Sequence, residues 1–218
     1  MSRVAVICYL WQPDAGSKFA YPYTAHDVRL LQRMVARHLT VPHLFVVITD
    51  QAECECFEGT EVLPVLIDKT THVPGTCFMR LMTFHPEGRR LLGDKVLQID
   101  LDTVIVGNID HLVKRQEDLV LWRNPGRVPW DKPANPGRPY YNTSLLLHKC
   151  GTMPHLWSDF NARDPGGLRD DQWWLSSLLG PDVPYFDGER DGVYRIARDD
   201  TPGSGVTGPL PTNACVVT

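Results

Sequence analysis

The chain is most informative first in what it lacks. No apolar run approaches the roughly 18 residues that a membrane-crossing helix needs. The opening stretch MSRVAVICYLW is too short and wrongly flanked for a secretory leader, because Gln12, Pro13 and Asp14 follow at once. We therefore read it as a buried first strand and expect a cytoplasmic protein with no transmembrane segment. There is no excess of basic residues: 22 Lys and Arg stand against 26 Asp and Glu, a net charge of −4. With a pI near 6.0, nucleic acid is not an expected partner. Among the cysteines, Cys8, Cys54, Cys56, Cys77, Cys150 and Cys215, the only close pair is Cys54 and Cys56, and without CxxC pairs a zinc site is not expected. Several lie in apolar runs, where a free thiol behaves as a small hydrophobe. Internal repeats and low-complexity tracts are absent as well.

What remains is an ordinary globular composition over 218 residues, 43% hydrophobic and 22% charged. That length suits one large domain with a substantial core. Continuous β-branched runs predict buried strands at Val4–Leu10 and Leu44–Asp50. Glu61–Ile67 contains Pro64, which predicts an edge strand. Further strands are expected at Val96–Ile99, Thr103–Val106, Asp118–Arg123, Tyr140–Lys149 and Ala214–Thr218. Val28, Leu31, Val35 and Leu39 recur at helical spacing over Tyr23–Leu39, with Thr24 as cap and Asp27 in the first turn. Cys77–Leu92 reads as a helix interrupted near His85 and Pro86. Met153–Phe160 and Asp171–Leu179 read as helices, the second capped by Asp170. Arg123–Pro139 and Pro181–Pro211 read as loops, the first over a cleft. Strands alternating with helices predict an α/β fold, a mostly parallel central sheet flanked by helices.

One stretch contradicts its surroundings. In VLQIDLDTVIVGNID, Asp100 and Asp102 interrupt an apolar run. Ligands of parallel sheets collect at the carboxyl ends of strands, where Asp100 falls. Two carboxylates at i and i+2, with a bend between them, can turn toward one hard divalent cation, Mg²⁺ or Mn²⁺. Such a cation takes further ligands from water and a diphosphate, and offsets charge on a departing phosphate oxygen. The competing interpretation is a strand end with two solvated carboxylates. Asn142 and Ser144 alternate along an apolar strand, so they share a face, and their amide and hydroxyl suit sugar hydroxyls. They can equally satisfy a neighbouring loop.

These segments together resemble a family. VLQIDLDTVIVGNIDHL is similar to the apolar-DxD-Thr-apolar-Gly segment of glycosyltransferase family 8 and its bacterial relatives. VICYLW resembles the family's first strand and nucleotide-contacting loop, and HLTVPHLFVVITD its next helix-to-strand segment. FMRLMTF resembles a helix carrying a basic residue, here Arg80. YYNTSLLLHKCG and DDQWWLSSLL resemble the strand and Asp-Gln helix that follow the variable loop. The order agrees over roughly residues 4–180. The resemblance implies a single GT-A domain over 1–218 and a retaining, hexosyltransferase-like enzyme. Its donor would be a nucleoside-diphosphate sugar, UDP being the commonest base, and its acceptor a glycan, lipid or protein. It implies Asp100 at ribose or metal, Asp102 at metal and diphosphate, and Arg80 at diphosphate. Tyr9 and Trp11 would flank the base, and Asn142 and Ser144 would face the sugar. Asp171 would orient the sugar, Gln172 would lie near the anomeric carbon, and Trp173 and Trp174 would wall the acceptor or pack in the core. In the family, a strand like ACVVT precedes an aromatic-His-Gly segment bearing a third metal ligand. The sequence stops at Thr218, so the expectation is either that this segment lies past the end of the sequence or that the protein lacks the third ligand.

Two other interpretations stay open. DLDTV also satisfies the DxDx[TV] pattern of haloacid-dehalogenase-like phosphatases, with Asp100 as nucleophile and Ser144, Lys149 and the Asp170–Asp171 pair in later motifs. That motif normally opens its domain, whereas about a hundred residues precede it here. A non-catalytic nucleotide- or sugar-binding relative is the third.

Overall fold

The structure is a computed structural model that describes residues 4–11, 23–50, 62–66, 77–124, 139–162, 170–196 and 205–218. A seven-stranded sheet runs in the order β3-β2-β1-β4-β7-β6-β8. Its strands are β1 Val4–Leu10, β2 His43–Thr49, β3 Val62–Leu66, β4 Lys95–Ile99, β6 Leu119–Arg123, β7 Tyr141–Lys149 and β8 Tyr185–Phe186. β1 pairs in parallel with both β2 and β4. β7 is antiparallel to its neighbours β4 and β6. The sheet is therefore mostly parallel, as its unbroken apolar strands require. Among the described residues β3, with Pro64, pairs only with β2 and forms the edge.

The strand order places the site. The chain winds outward from β1 to β3 and then crosses to β4 on β1's other side. That reversal opens a crevice between the carboxyl ends of β1 and β4, where doubly wound sheets take their ligands. β7 enters beside β4 in the opposite direction, so its first residues reach the same rim. Asn142 and Ser144 thus arrive next to Asp100, whose N–H donates to the Ser144 carbonyl at 2.9 Å. The β6–β7 register slips between Leu121 and Trp122: Leu121 faces Leu146 while Trp122 faces Asn142. Such a bulge bends its strand and re-aims side chains near a site.

Helix α1, Ala25–His38, follows from local rules. Thr24 and Asp27 form a reciprocal capping box, and Val28, Leu31 and Val35 are buried. The stretch read as one interrupted helix divides at the expected place, into a 3-10 helix at Cys77–Phe84 and α2 at Gly88–Leu92. α3 spans Asp110–Val113, α4 His155–Ala162 and α5 Asp171–Leu178. α5 is tied to β7 where the Tyr141 N–H donates to Ser176 Oγ at 3.0 Å.

The structure departs from the sequence reading toward the C-terminus. β5 (Val104–Ile105), β9 (Val193–Tyr194) and β10 (Val216–Val217) form a second, three-stranded sheet in the order β5-β10-β9. Pro181–Pro211, read as loop, contains β8, α6 (Gly188–Asp191) and β9. The expected strands at 103–106 and 214–218 contract to two residues each, lengths that leave no periodicity to detect. Ile105, Val193 and Val216 nevertheless share one core cluster with β1, β2 and β4. The Arg123–Pro139 loop and the Cys54–Cys56 pair lie largely or wholly outside the described residues. Among the described residues, Cys8, Cys77, Cys150 and Cys215 form no disulfide. Among the described residues, no helix is long and apolar enough to cross a membrane.

Candidate functional site

A cavity of about 260 Å³ opens at the rim between β1 and β4. Tyr9, Trp11, Arg80, Asp100, Asp102, Asn142, Ser144 and Gln172 all line it. Asp171 does not. The chain therefore collects eight of the nine expected residues around one space, although they come from segments far apart in sequence.

The acidic pair sits on a turn. The Thr103 N–H donates to the Asp100 carbonyl at 3.1 Å, closing the bend that brings Asp102 round to the cavity. Asp102 is exposed, whereas Asp100 is partly covered. Burial pushes the Asp100 carboxyl up to about 7; Arg80 pulls against it, and Asp102 adds to the rise. Among the described residues, three acids, Asp100, Asp102 and Asp170, line the cavity against two arginines, Arg80 and Arg195. Such an excess of carboxylate favours a bound cation, and oxygen donors suit Mg²⁺ or Mn²⁺. Among the described residues, no group of three or more His, Cys, Asp or Glu side chains is assembled for a metal. The pair fits a cation that completes its shell with water and ligand oxygens.

Arg80, expected at the diphosphate, is largely buried. It is 9% exposed and set between two carboxylates. Nη1 donates to Asp100 Oδ2 at 2.7 Å, to Oδ1 at 3.0 Å and to Thr143 Oγ1 at 3.2 Å. Nε lies 3.7 Å from Asp171 Oδ2. The Tyr9 hydroxyl donates to the Arg80 carbonyl at 3.0 Å, pinning this segment to β1. Arg80 thus orients Asp100 from within, and only part of it faces the cavity.

Asp171 is the clearest difference from expectation. It is fully buried behind Arg80, so a direct contact with a sugar in this cavity is not available to it. Asp170 faces the cavity in its place, while its Oδ1 caps α5 by accepting from the Trp173 N–H at 3.0 Å. The helix phase explains the exchange: the residue after the cap points inward to β7. Gln172 is half-buried and lines the cavity. Trp174 packs in the core beside Phe160, and neither Trp173 nor Trp174 reaches the cavity.

Asn142 and Ser144 do share a face. The Ser144 N–H and hydroxyl both donate to Asn142 Oδ1, at 2.7 and 2.5 Å, and Asn142 Nδ2 donates to Asn124 Oδ1 at 3.3 Å. Trp11 is half-buried and meets the buried Tyr9 ring edge-on at 6.1 Å. Cys77, Arg195 and Thr218 also line the cavity. Sequence reasoning did not select them. Cys77 is only three residues before Arg80, which was the available signal; Arg195 and Thr218 come from the small sheet's neighbourhood, which had none.

The fold is the GT-A α/β fold, shared with solved glycosyltransferases. The galactosyltransferase LgtC, solved with donor and acceptor sugar analogues, is 14% identical with a TM-score of 0.62; the match covers 98% of this chain and 86% of LgtC. GlyE of Streptococcus pneumoniae is 15% identical with a TM-score of 0.58, over 87% of this chain and 46% of its own. The bifunctional glycosyltransferase WbbM is 15% identical with a TM-score of 0.60, over 89% of this chain and 40% of its own. The chain thus spans less than half the length of the latter two. No family model and no curated protein sequence matches it.

Proposed function

We propose that the protein is a metal-dependent glycosyltransferase that moves a sugar from a nucleoside diphosphate to a hydroxyl acceptor, with retention at the anomeric carbon. The observation that carries this reading is the convergence of Asp100, Asp102, Asn142, Ser144 and Gln172 on one cavity at the sheet's switch point. The fold it shares with LgtC, GlyE and WbbM supports it, as does the motif order along the chain.

In this reading Asp100 and Asp102 hold Mn²⁺ or Mg²⁺, which when bound offsets charge on the leaving diphosphate. Arg80 holds Asp100 in place through two hydrogen bonds. Trp11 offers its half-exposed ring to the base, with Tyr9 behind it. The Asn142–Ser144 pair presents polar groups to the sugar, and Gln172 sits closest to the reacting carbon. Asp171 acts through Arg80. Retention would follow from attack on the face the diphosphate leaves, with a phosphate oxygen taking the acceptor's proton. Nothing in the fold comparison favours the phosphatase reading.

A thermal-shift panel of UDP, GDP, ADP and CDP, each with and without Mn²⁺, tests the proposal. Ligands that bind the folded state raise its stability by mass action. At least one nucleoside diphosphate should raise the melting temperature more with Mn²⁺ than alone. If none does, the donor reading is wrong.

A further inference from the structure

A second cavity, about 250 Å³, opens at the carboxyl ends of β6 and β8, on the same rim of the large sheet as the first. Trp122, Arg123, Tyr185, Asp187, Tyr194 and Arg195 are among its lining residues. Arg195 also lines the first cavity, so the two spaces adjoin through it.

Arg123 is the distinctive group. Its guanidinium lies over the Tyr185 ring, 4.1 Å from the centroid. Stacking uses only the face of the guanidinium, so its edge donors can form a planar fork. Arg80, Arg115 and Arg190 each hold a carboxylate. Among the described residues, Arg123 has none within ion-pair distance. The nearby acid, Asp187, is committed elsewhere: its Oδ1 accepts from the Glu189 and Arg190 N–H groups at 2.9 and 3.1 Å and caps α6. The Tyr194 hydroxyl donates to Asn213 Oδ1 at 2.9 Å, which holds that ring in the wall. A concave, aromatic-walled space into which Tyr185 orients the Arg123 guanidinium is built for a compact ligand bearing an anionic group.

We propose that this cavity binds a saccharide through its carboxylate or phosphate group, with Arg123 as the main donor. If the glycosyltransferase reading holds, this saccharide is the acceptor, placed beside the donor. The site itself is defined by Arg123 and Tyr185 and is testable without turnover.

Ligand-observed NMR titrations with glucuronic acid, glucose 6-phosphate, glucose and inorganic phosphate would test it. At least one of the two acidic sugars should bind about ten-fold or more tightly than glucose, the scale of a charge-assisted hydrogen bond. Which of the two is preferred tells whether carboxylate or phosphate is the cognate group. Arg123→Gln should abolish the preference and leave the response to UDP with Mn²⁺ unchanged, whereas Arg123→Lys should keep part of it. A melting temperature near that of the unchanged protein confirms that each variant is folded. The proposal is overturned if glucose binds as well as both acids, if Arg123→Gln changes nothing, or if inorganic phosphate alone matches glucose 6-phosphate. Anionic-sugar binding without any nucleoside-diphosphate response would count against the transferase reading and leave this site standing.

Discussion

Arg80 Nε stands 3.7 Å from Asp171 Oδ2, a buried ion pair behind the wall of the first cavity. Neither Arg80 Nε nor either Asp171 oxygen has a hydrogen-bond partner among the described residues. A buried charge without hydrogen bonds is costly, so the attraction between these two groups is what keeps Asp171 tolerable. Burial still dominates: it pushes the Asp171 carboxyl up to about 6, against the pull of Arg80.

This pair predicts a pH signature. The folded protein holds a proton on Asp171 up to about pH 6, whereas the ordinary value is 3.8. Its contribution to stability is therefore greatest below about 4 and is lost as pH rises through about 6, on the order of 3 kcal/mol. Asp171→Asn, which cannot titrate, should lack that slope. Urea unfolding of both proteins at pH 4, 5, 6 and 7 would show it. Parallel stability profiles over this range would disprove the assignment.

Asp102 predicts a different outcome. It is exposed and adds little packing, so Asp102→Asn should change stability by no more than about 0.5 kcal/mol. Under the proposed function it should weaken Mn²⁺-dependent nucleoside-diphosphate binding at least about ten-fold, the scale of losing one charged contact. Calorimetric titrations of the two proteins decide this. Equal metal-dependent affinity would remove Asp102 from the metal site.

Gly192 tests the small sheet. Its φ of +69° favours glycine, and an added Cβ would lie 2.3 Å from the Asn213 carbonyl oxygen. That close approach lets the Gly192 carbonyl accept from the Cys215 and Val216 N–H groups at 2.8 and 3.1 Å. Gly192→Ala should cost about 1–3 kcal/mol through backbone strain, with more from the clash. Because β10 leads to Thr218 at the first cavity, the variant should also weaken ligand binding there. A chemical-denaturation midpoint equal to that of the unchanged protein would show that the sheet tolerates the side chain.

Whatever depends on near neighbours is legible along the chain. Apolar runs marked β1, β2 and β4, and Thr24 with Asp27 marked the start of α1. The break at His85–Pro86 and the cap at Asp170 were equally local. Asp100 and Asp102 could be found because charge is rare inside such a run, and Asn142 and Ser144 because alternation along a strand is regular. The direction in which those side chains face is set by packing between distant elements. Arg80 is buried because three distant elements close on it: β4 brings Asp100, β7 brings Thr143, and α5 brings Asp171. Asp171 turns away from the cavity, and the capping Asp170 lines it instead, because the packing of α5 against β7 sets the helix's rotation. The small sheet was hidden for a related reason. Two-residue strands have no pattern of their own, and β5 and β10 are held by pairing across more than a hundred residues of chain, Ile105 with Val216 and Val104 with Val217.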